Sequence, residues 1–240
     1  MTMEFELIWN QQKWTKHARS LVEGLEQFPE DSKIILVIRH SHRNSIKSLN
    51  DMGDLRLTSI GHEIAKLFGT KLPSNREVKL FYSPIERCVE TAQDILTGFK
   101  SITGKGTLME DLNVLYDIGV EAEYFFDEVT KYPFVYFLYR WIANLYPPNK
   151  VTPFNKFCQD AATVIWNNKS NEDDGNQLYI HISHDLMILT YRLGWFGLSP
   201  SDRWPSFLDG FAFSLNYDHI LLLDDGKLSK VEIPYWWRSK

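Results

Sequence analysis

Short apolar runs recur along the chain, and each one is followed by a segment with apolar residues at helical spacing. The run "IILVI" (34–38) contains no polar residue, and "VKLFY" (78–82) and "LYIHI" (178–182) are nearly as apolar. Runs of this length, rich in β-branched residues, are typical of strands buried on both faces of a parallel sheet. The alternation of such strands with amphipathic helices predicts an α/β fold.

Local signals predict where the helices begin and end. Thr58 is a predicted N-cap of the first helix after a strand, and Gly69 is predicted to end that helix. In "SPIE", Ser83 is expected to cap the second helix, with Glu86 completing a capping box. The third helix starts at Asp185 and is predicted to reach a glycine at 194 or 197.

Three further runs near the end of the chain predict additional strands. "FAFSLN" and "ILLLDDG" are read as two strands joined by a turn at "YDH", and "KVEIPYW" as a third. The fold class is therefore expected to be α/β, with a single mixed, mostly parallel sheet flanked by helices on both faces. We expect one domain over residues 1–240, and the aromatic-rich stretch at about 110–165 is expected to be an inserted helical cap.

The composition narrows the class of partner. With 44% hydrophobic residues, 24% charged residues and a formal net charge of -5, the chain has the composition of an ordinary globular protein. This balance disfavours nucleic acid as a partner. The two cysteines, Cys88 and Cys158, are far apart and lack CxxC spacing, which favours a reducing compartment over a disulfide framework or a zinc site.

The segments that could contact a membrane do not have the required pattern. The first residues include glutamates where a signal peptide has a basic region. The most apolar later stretch, 132–148, is interrupted by Arg140 and Asn144 and is shorter than the roughly 20 residues that span a bilayer. A cytoplasmic location without a membrane partner is expected, and the sequence gives no indication of an oligomeric state.

Cationic side chains follow three of the predicted strands. Arg39 and His40 follow the first strand, Arg87 lies just after the second, and His184 follows the third. The carboxyl ends of parallel strands meet at one edge of the sheet, so these groups are expected to converge. Together with Arg43 they would repel one another unless an anion lay among them, and the planar arginine guanidinium suits phosphate oxygens better than a metal ion. Neither a metal nor a cofactor is expected.

Four motifs, in this order, resemble those of the histidine phosphatase superfamily: "RHSHR" (39–43), "LTSIG" (57–61), "SPIERCVETA" (83–92) and "SHD" (183–185). The resemblance implies a phosphoglycerate mutase-like sheet with an inserted cap. It also implies that the first histidine accepts a phosphoryl group and that the reaction needs no metal.

The resemblance assigns roles to particular residues. His40 would be the nucleophile that forms a phosphohistidine, and His184 would be a second catalytic residue that also binds phosphate. The guanidinium groups of Arg39, Arg43 and Arg87 would hold the phosphoryl oxygens together with His184.

Two carboxyl groups are candidates for the proton donor. Asp185 is preferred, because the "HD" pair and the last arginine of "RHSHR" resemble the acid phosphatase branch of the family. Glu110 is the alternative, because it lies where the mutase-like branch keeps a glutamate. The predicted function is that of a phosphomonoesterase acting on a small phosphorylated substrate or a phosphopeptide.

One departure from the family pattern keeps alternatives open. Ser41 replaces the glycine that follows the nucleophile, although its hydroxyl could instead donate to the substrate. A non-catalytic relative that binds a phosphoanion is one alternative. The other is a metal-dependent hydrolase that uses His40, His42, His184 and Asp185.

Overall fold

The computed structural model describes residues 3–45, 55–102, 105–167 and 176–238. These residues form a seven-stranded sheet covered by helices on both faces. The strands are β1 (Ile34–Arg39), β2 (Glu77–Tyr82), β3 (Gly106–Asp111), β4 (Gln177–Ser183), β5 (Gly210–Leu215), β6 (Ile220–Asp224) and β7 (Lys227–Val231). The helices are α1 (Met3–Gln11), α2 (Lys16–Gly24), α3 (Ser59–Lys71), α4 (Glu86–Lys100), α5 (Ala122–Lys131), α6 (Phe134–Ile142), α7 (Phe154–Asn167), α8 (Asp185–Phe196) and α9 (Tyr235–Arg238).

The sheet has the order β3-β2-β4-β1-β5-β6-β7. The first four strands in this order pair in parallel, and the last three are added by antiparallel pairing. The predicted fold class, an α/β fold with one mixed sheet flanked by helices, is confirmed. None of the described helices is long and apolar enough to cross a membrane.

The run "IILVI" contributes to two hydrophobic cores because successive side chains of a strand point to opposite faces. Ile34, Leu36 and Ile38 pack with helices α1 to α4 on one face. Ile35 and Val37 pack on the other face, with helices α6 to α8. Burial on both sides therefore explains why the run contains no polar residue.

Hydrogen bonds beyond the strand ends fix the edge at which the polar motifs meet. The backbone N–H of His40 donates to the carbonyl of Ser183 at 2.9 Å, and that of Ser83 donates to the carbonyl of Ile182 at 2.9 Å. These bonds hold the segments that follow β1 and β2 against β4. The three motifs are consequently kept at one edge of the sheet.

The predicted start of helix α3 is confirmed and its predicted end is wrong. The side chain of Thr58 accepts a hydrogen bond from the N–H of Gly61 at 3.1 Å, as an N-cap does. Gly69 lies inside the helix, which continues to Lys71. A Cβ atom at Gly69 would lie 2.1 Å from the carbonyl oxygen of Ile95, so this glycine permits close packing of α3 on α4.

The predicted capping box at the start of α4 is also wrong. The helix begins at Glu86, with Ile85 at the N-cap position and no side-chain cap. The hydroxyl of Ser83 lies 2.9 Å from Nε2 of His184, and the carboxylate of Glu86 pairs with Arg56 at 2.9 Å. Tertiary contacts therefore occupy both side chains that the local pattern assigned to capping.

At the end of the chain the prediction is partly correct. Helix α8 ends before Gly197, which has the left-handed φ of 68° that glycine favours, so the second of the two predicted glycines is the correct one. Strands β5 and β6 are where they were predicted, but β7 begins at Lys227, upstream of the predicted "KVEIPYW". Strand β3 and helices α1 and α2 were not predicted.

Candidate active site

One cavity of about 600 Å³ lies at the edge where the polar motifs meet. The predicted site residues His40, Arg43, Arg87, His184 and Asp185 all line it. They come from the ends of β1 and β4 and from the first turns of α4 and α8. The structure therefore brings together residues that are as far apart as 145 positions in the sequence.

His40 is buried, and its hydrogen bond identifies which ring nitrogen carries the proton. Nδ1 lies 2.7 Å from the carbonyl oxygen of Ser41, and because a carbonyl only accepts, Nδ1 must be the donor. Burial lowers the pKa of His40 well below its usual value, and the neighbouring His184, Arg39 and Arg87 lower it further. The neutral ring therefore has its lone pair on Nε2.

His184 lies beside His40, with the ring centroids 5.6 Å apart. A guanidinium nitrogen of Arg87 donates to Nδ1 of His184 at 3.1 Å, so Nε2 carries the proton and donates to Ser83 at 2.9 Å. Burial lowers the pKa of His184 well below its usual value, and Arg87, Arg39 and Arg43 add to this effect. Two neutral imidazoles thus lie between several cationic groups.

The two arginines that line the cavity are partly removed from water. Arg87 is 5% exposed, and burial lowers its pKa. Burial also lowers the pKa of Arg43, with further contributions from Arg39 and Arg87. Within the described part of the chain, Nε of Arg43 is buried without a hydrogen-bond partner. An anion in the cavity would relieve both the repulsion and the unsatisfied donor.

The predicted phosphate ligand Arg39 is not among the residues that line the cavity. Its guanidinium lies 2.8 Å from a carboxylate oxygen of Asp185 and donates to the carbonyl of Pro205 at 2.8 Å. The same group lies over the ring of Phe207, 4.6 Å from the centroid. Trp204 also donates to Asp185 at 3.3 Å, so Asp185 joins Arg39 to the segment that precedes β5.

Of two further carboxyl groups near the site, those of Glu110 and Asp117, only the second lines the cavity. Glu110 is exposed on strand β3 and does not line the cavity. Asp117, which the sequence analysis missed, does line it, and its carboxylate accepts from the N–H of Gly119 at 2.7 Å. The "DIG" pattern around Asp117 is typical of a turn, and it carries no signal of a chemical role.

Ser41 is fully buried and hydrogen-bonded away from the cavity. Its hydroxyl donates to the carbonyl of Gly61 at 2.7 Å, and its N–H donates to the hydroxyl of Thr91 at 3.0 Å. Ser41 is not among the described residues that have a positive φ. The backbone here therefore does not require glycine, and the hydroxyl serves packing instead of substrate binding.

His42 and Cys88 lie close to the site without lining the cavity. Nδ1 of His42 lies 2.8 Å from the hydroxyl of Thr58, and its ring packs against Trp14, with centroids 5.3 Å apart. Cys88 is buried, with its sulfur 3.6 Å from Nε2 of His184, and burial raises the pKa of its thiol to about 12. Among the residues that the structure describes, no three His, Cys, Asp or Glu side chains are grouped to hold a metal ion.

The sequence matches the family model of the histidine phosphatase superfamily (branch 1) over residues 35–215. A comparison with curated protein sequences found no match.

Solved structures of similar fold include phosphatases. The phosphoserine phosphatase of Entamoeba histolytica, solved with 3-phosphoglyceric acid, is 15% identical, with a TM-score of 0.55 over 85% of this chain and 98% of the other. A mutant of that enzyme, solved with phosphoserine, has a TM-score of 0.51 at 15% identity, over 85% of this chain and 98% of the other. The mycobacterial glucosyl-3-phosphoglycerate phosphatase is 12% identical, with a TM-score of 0.55 over 84% of this chain and 97% of the other. At these identities the likeness concerns the fold alone.

Proposed function

The chain belongs to the histidine phosphatase superfamily, branch 1, and on that premise we propose that it is a metal-independent phosphomonoesterase. The observation that carries the proposal is the hydrogen bond from Nδ1 of His40 to the carbonyl of Ser41. It leaves a neutral imidazole with a free Nε2 lone pair in a cavity shared with Arg43 and Arg87. A nucleophile next to two cations is suited to attack on a bound phosphate dianion.

The match to branch 1 corrects one expectation from the sequence. The "HD" pair and the "RHSHR" motif predict a place nearer the acid phosphatase branch, and this prediction is wrong. These two features comprise only a few residues. The family model, in contrast, matches residues 35–215, a range that covers β2 to β5 and nearly all of β1.

In the first proposed step, Nε2 of His40 attacks phosphorus and the bond from phosphorus to the ester oxygen breaks. Arg43 and Arg87 bind the phosphoryl oxygens and stabilise the charge that develops on them. His184 joins them when its Nε2–H donates to a phosphoryl oxygen in place of Ser83. The leaving alkoxide takes a proton, for which Asp185 is the proposed donor, because Asp185 lines the cavity and Glu110 does not. The product is a phosphohistidine on His40 and a free alcohol.

Asp185 must carry a proton before it can donate one. In the ligand-free site, its carboxylate pairs with Arg39 and accepts a hydrogen bond from Trp204. A bound phosphate dianion competes for the nearby guanidinium groups and disfavours a second negative charge. Substrate and proton therefore enter the site together in this proposal.

In the second proposed step, water attacks the phosphohistidine and the bond from phosphorus to Nε2 breaks. The carboxylate of Asp185 takes a proton from the attacking water, which restores the protonated form that it has with substrate bound, and this proton leaves the site together with the phosphate. Inorganic phosphate then leaves, and no metal ion takes part.

The proposed substrate is a small phosphorylated molecule. One structural neighbour was solved with 3-phosphoglyceric acid and its mutant with phosphoserine, both of which are small phosphate esters. The cavity of about 600 Å³ lies within the range of small-molecule sites, roughly 300–1,000 Å³. Helices α5 and α6 contribute to its wall, and we propose that they form the cap.

Turnover of p-nitrophenyl phosphate in the presence of EDTA tests the proposal. We expect the wild-type protein to release p-nitrophenol, and we expect the His40→Ala variant to lose that activity by several orders of magnitude. Trapping of a phosphorylated protein in samples quenched with denaturant at alkaline pH, where phosphohistidine is stable, would support the covalent step if it is absent from His40→Ala. Loss of wild-type activity in EDTA would favour the metal-dependent hydrolase. Retention of phosphate binding without turnover would favour the phosphoanion-binding relative.

A further inference from the structure

The cavity has two chemically different ends. His40, Arg43, Arg87 and His184 form the end that would hold phosphate. Most of the remaining wall is apolar and comes from residues 116–122, from α5 and α6, and from the first turn of α8. A substrate that fills the cavity would therefore place its phosphate at one end and its alcohol against the apolar wall.

Helix α5 presents an apolar stripe to the cavity. Ala122, Phe125, Phe126 and Val129 are spaced at i, i+3, i+4 and i+7, so they share one face of the helix, and all four line the cavity. A stripe of this kind is usually covered by the core of the protein. Here Ala122 is exposed, and the other three side chains are only half-buried. This face of the helix is thus available to a ligand.

Two large aromatic residues line the same cavity while remaining open to solvent. Tyr116 is 48% exposed and Trp204 is 43% exposed. Phe134, at the start of α6, packs edge-on against Trp204 with the ring centroids 5.9 Å apart, which extends the aromatic wall. Exposed aromatic rings that gather around a concave site are typical of a surface that binds an apolar group.

Within the described part of the chain, the apolar end of the cavity offers no cation to pair with an anionic group on the alcohol part of a substrate. Among the described residues that line it, the only arginines or lysines are Arg43 and Arg87, both at the phosphate end. Asp185 is paired with Arg39, and Asp117 adds a further negative charge. A carboxylate on the alcohol part of a substrate would meet apolar side chains and Asp117, with no cation to pair with.

An inference about the substrate class can be drawn from these features, and it rests on the proposed function. We infer that the preferred substrate is a phosphate monoester of an uncharged alcohol that carries a bulky aromatic or branched aliphatic group. The phosphate binds between Arg43 and Arg87, and the apolar group lies against α5 and Trp204.

Binding by the His40→Ala variant tests this inference without turnover. The probes are 3-phenylpropyl phosphate and O-phosphoserine, which are both esters of primary alcohols and differ in the charge and apolar area of the alcohol. We expect 3-phenylpropyl phosphate to bind at least about tenfold more tightly in titration calorimetry, because apolar contacts of this size discriminate by such factors. Equal affinity, or tighter binding of O-phosphoserine, would overturn the inference.

Variants of the apolar wall sharpen the test in the wild-type background. Phe126→Ala is expected to lower the ratio of kcat/KM for 3-phenylpropyl phosphate to that for O-phosphoserine by about tenfold. Phe126→Lys is expected to invert the preference, because it supplies a cation for the carboxylate. Tyr136→Ala is the matched control, since Tyr136 is an exposed aromatic residue on the neighbouring helix α6 that does not line the cavity. An unchanged ratio in both Phe126 variants would contradict the inference.

The binding and turnover measurements separate the two proposals. A preference for 3-phenylpropyl phosphate in binding, with no hydrolysis of any ester by the wild type, would support the ligand class and refute the phosphatase. Hydrolysis that depends on His40, with O-phosphoserine preferred in both measurements, would support the phosphatase and refute the ligand class.

Discussion

At the scale of single residues, hydrogen bonds within the protein determine which atoms of the site are free to contact a ligand. The carbonyl of Ser41 fixes the tautomer of His40, and the guanidinium of Arg87 fixes that of His184. Arg39 and Asp185 bind each other, so Arg39 acts on the cavity through its charge and through Asp185. These contacts assign different tasks to residues that the sequence motifs present as one group of phosphate ligands.

The choice of proton donor can be tested with leaving groups of different acidity. Asp185→Asn is expected to reduce kcat/KM for an alkyl phosphate, which reports phosphoryl transfer to His40, by roughly 10²–10⁴-fold, the usual contribution of general acid catalysis. Its effect on kcat/KM for p-nitrophenyl phosphate should be much smaller, because p-nitrophenolate leaves without a proton. Steady-state kinetics on the two esters measures the difference.

Two other carboxyl groups provide the controls for that experiment. Asp117→Asn changes a second carboxylate in the same cavity, and Glu110→Gln changes the exposed carboxylate on β3. A selective loss with alkyl phosphates in either of these variants, and not in Asp185→Asn, would assign the donor to that residue.

Ser41, next to His40, is expected to matter for stability. Ser41→Gly removes the hydrogen bond to the carbonyl of Gly61, which lies within helix α3, and is expected to destabilise the protein by about 0.5–1.5 kcal/mol. Because the hydroxyl is directed away from the cavity, kcat/KM should remain close to that of the wild type. Urea unfolding and steady-state kinetics measure the two quantities, and a large rise in activity would show that the serine limits the rate.

At the scale of elements, the helices beside the phosphate end are positioned by close backbone contacts. A Cβ atom at Gly98 in α4 would lie 1.9 Å from the carbonyl oxygen of Lys66 in α3. The equivalent atom at Gly61 would lie 2.1 Å from the carbonyl oxygen of His42, in the segment that follows β1. These glycines allow α3 to lie against both α4 and the segment that contains His40, and α4 carries Arg87 into the cavity.

Gly98→Ala tests the importance of this packing. Alanine favours a helix by about 1 kcal/mol over glycine, so helix propensity alone predicts stabilisation. The contact with Lys66 predicts the opposite, a loss of roughly 1–3 kcal/mol from overpacking. Thr97→Ala, at an exposed neighbouring position on the same helix, is the control and should be nearly neutral. Thermal unfolding of both variants decides between these effects, and a stabilised Gly98→Ala would contradict the packing argument.

Some helices and strands could be predicted from the sequence and others could not, and the difference has a physical cause in each case. The strands that carry the site were predictable, because burial on both faces leaves an uninterrupted apolar run at 34–38. The start of α4 was not, because Ser83 bonds to His184, a residue 101 positions away. The apolar face that α5 turns to the cavity was not predictable either, because the spacing of Phe125 and Phe126 suits a core face equally well.

At the scale of the whole molecule, burial keeps three histidines neutral. Burial lowers the pKa of His181 to about 3 and, aided by nearby cations, lowers those of His40 and His184 well below the usual value. In the unfolded chain, these imidazoles would titrate near 6.5. Below that pH the unfolded state binds more protons than the native state, so the free energy of unfolding falls as the pH falls.

The stability of the protein is therefore expected to drop between pH 7.5 and 5.5. Each such histidine contributes a limiting slope of about 1.4 kcal/mol per pH unit. His181→Leu should remove one of these contributions, because His181 stacks on Phe81 in the core, away from the cavity. Urea unfolding at several pH values measures the slope. A stability that does not change over this range, or a slope unaffected by His181→Leu, would contradict the prediction.

The thiol of Cys88, buried beside His184, is expected to resist oxidation. Hydrogen peroxide and alkylating reagents attack thiolates, and Cys88 keeps its proton because burial raises its pKa to about 12. The sulfur is also inaccessible from solvent. The nucleophile of the proposed reaction is a nitrogen of His40, which does not follow the sulfur oxidation series. Activity should consequently persist through peroxide exposure that inactivates enzymes dependent on an exposed thiolate.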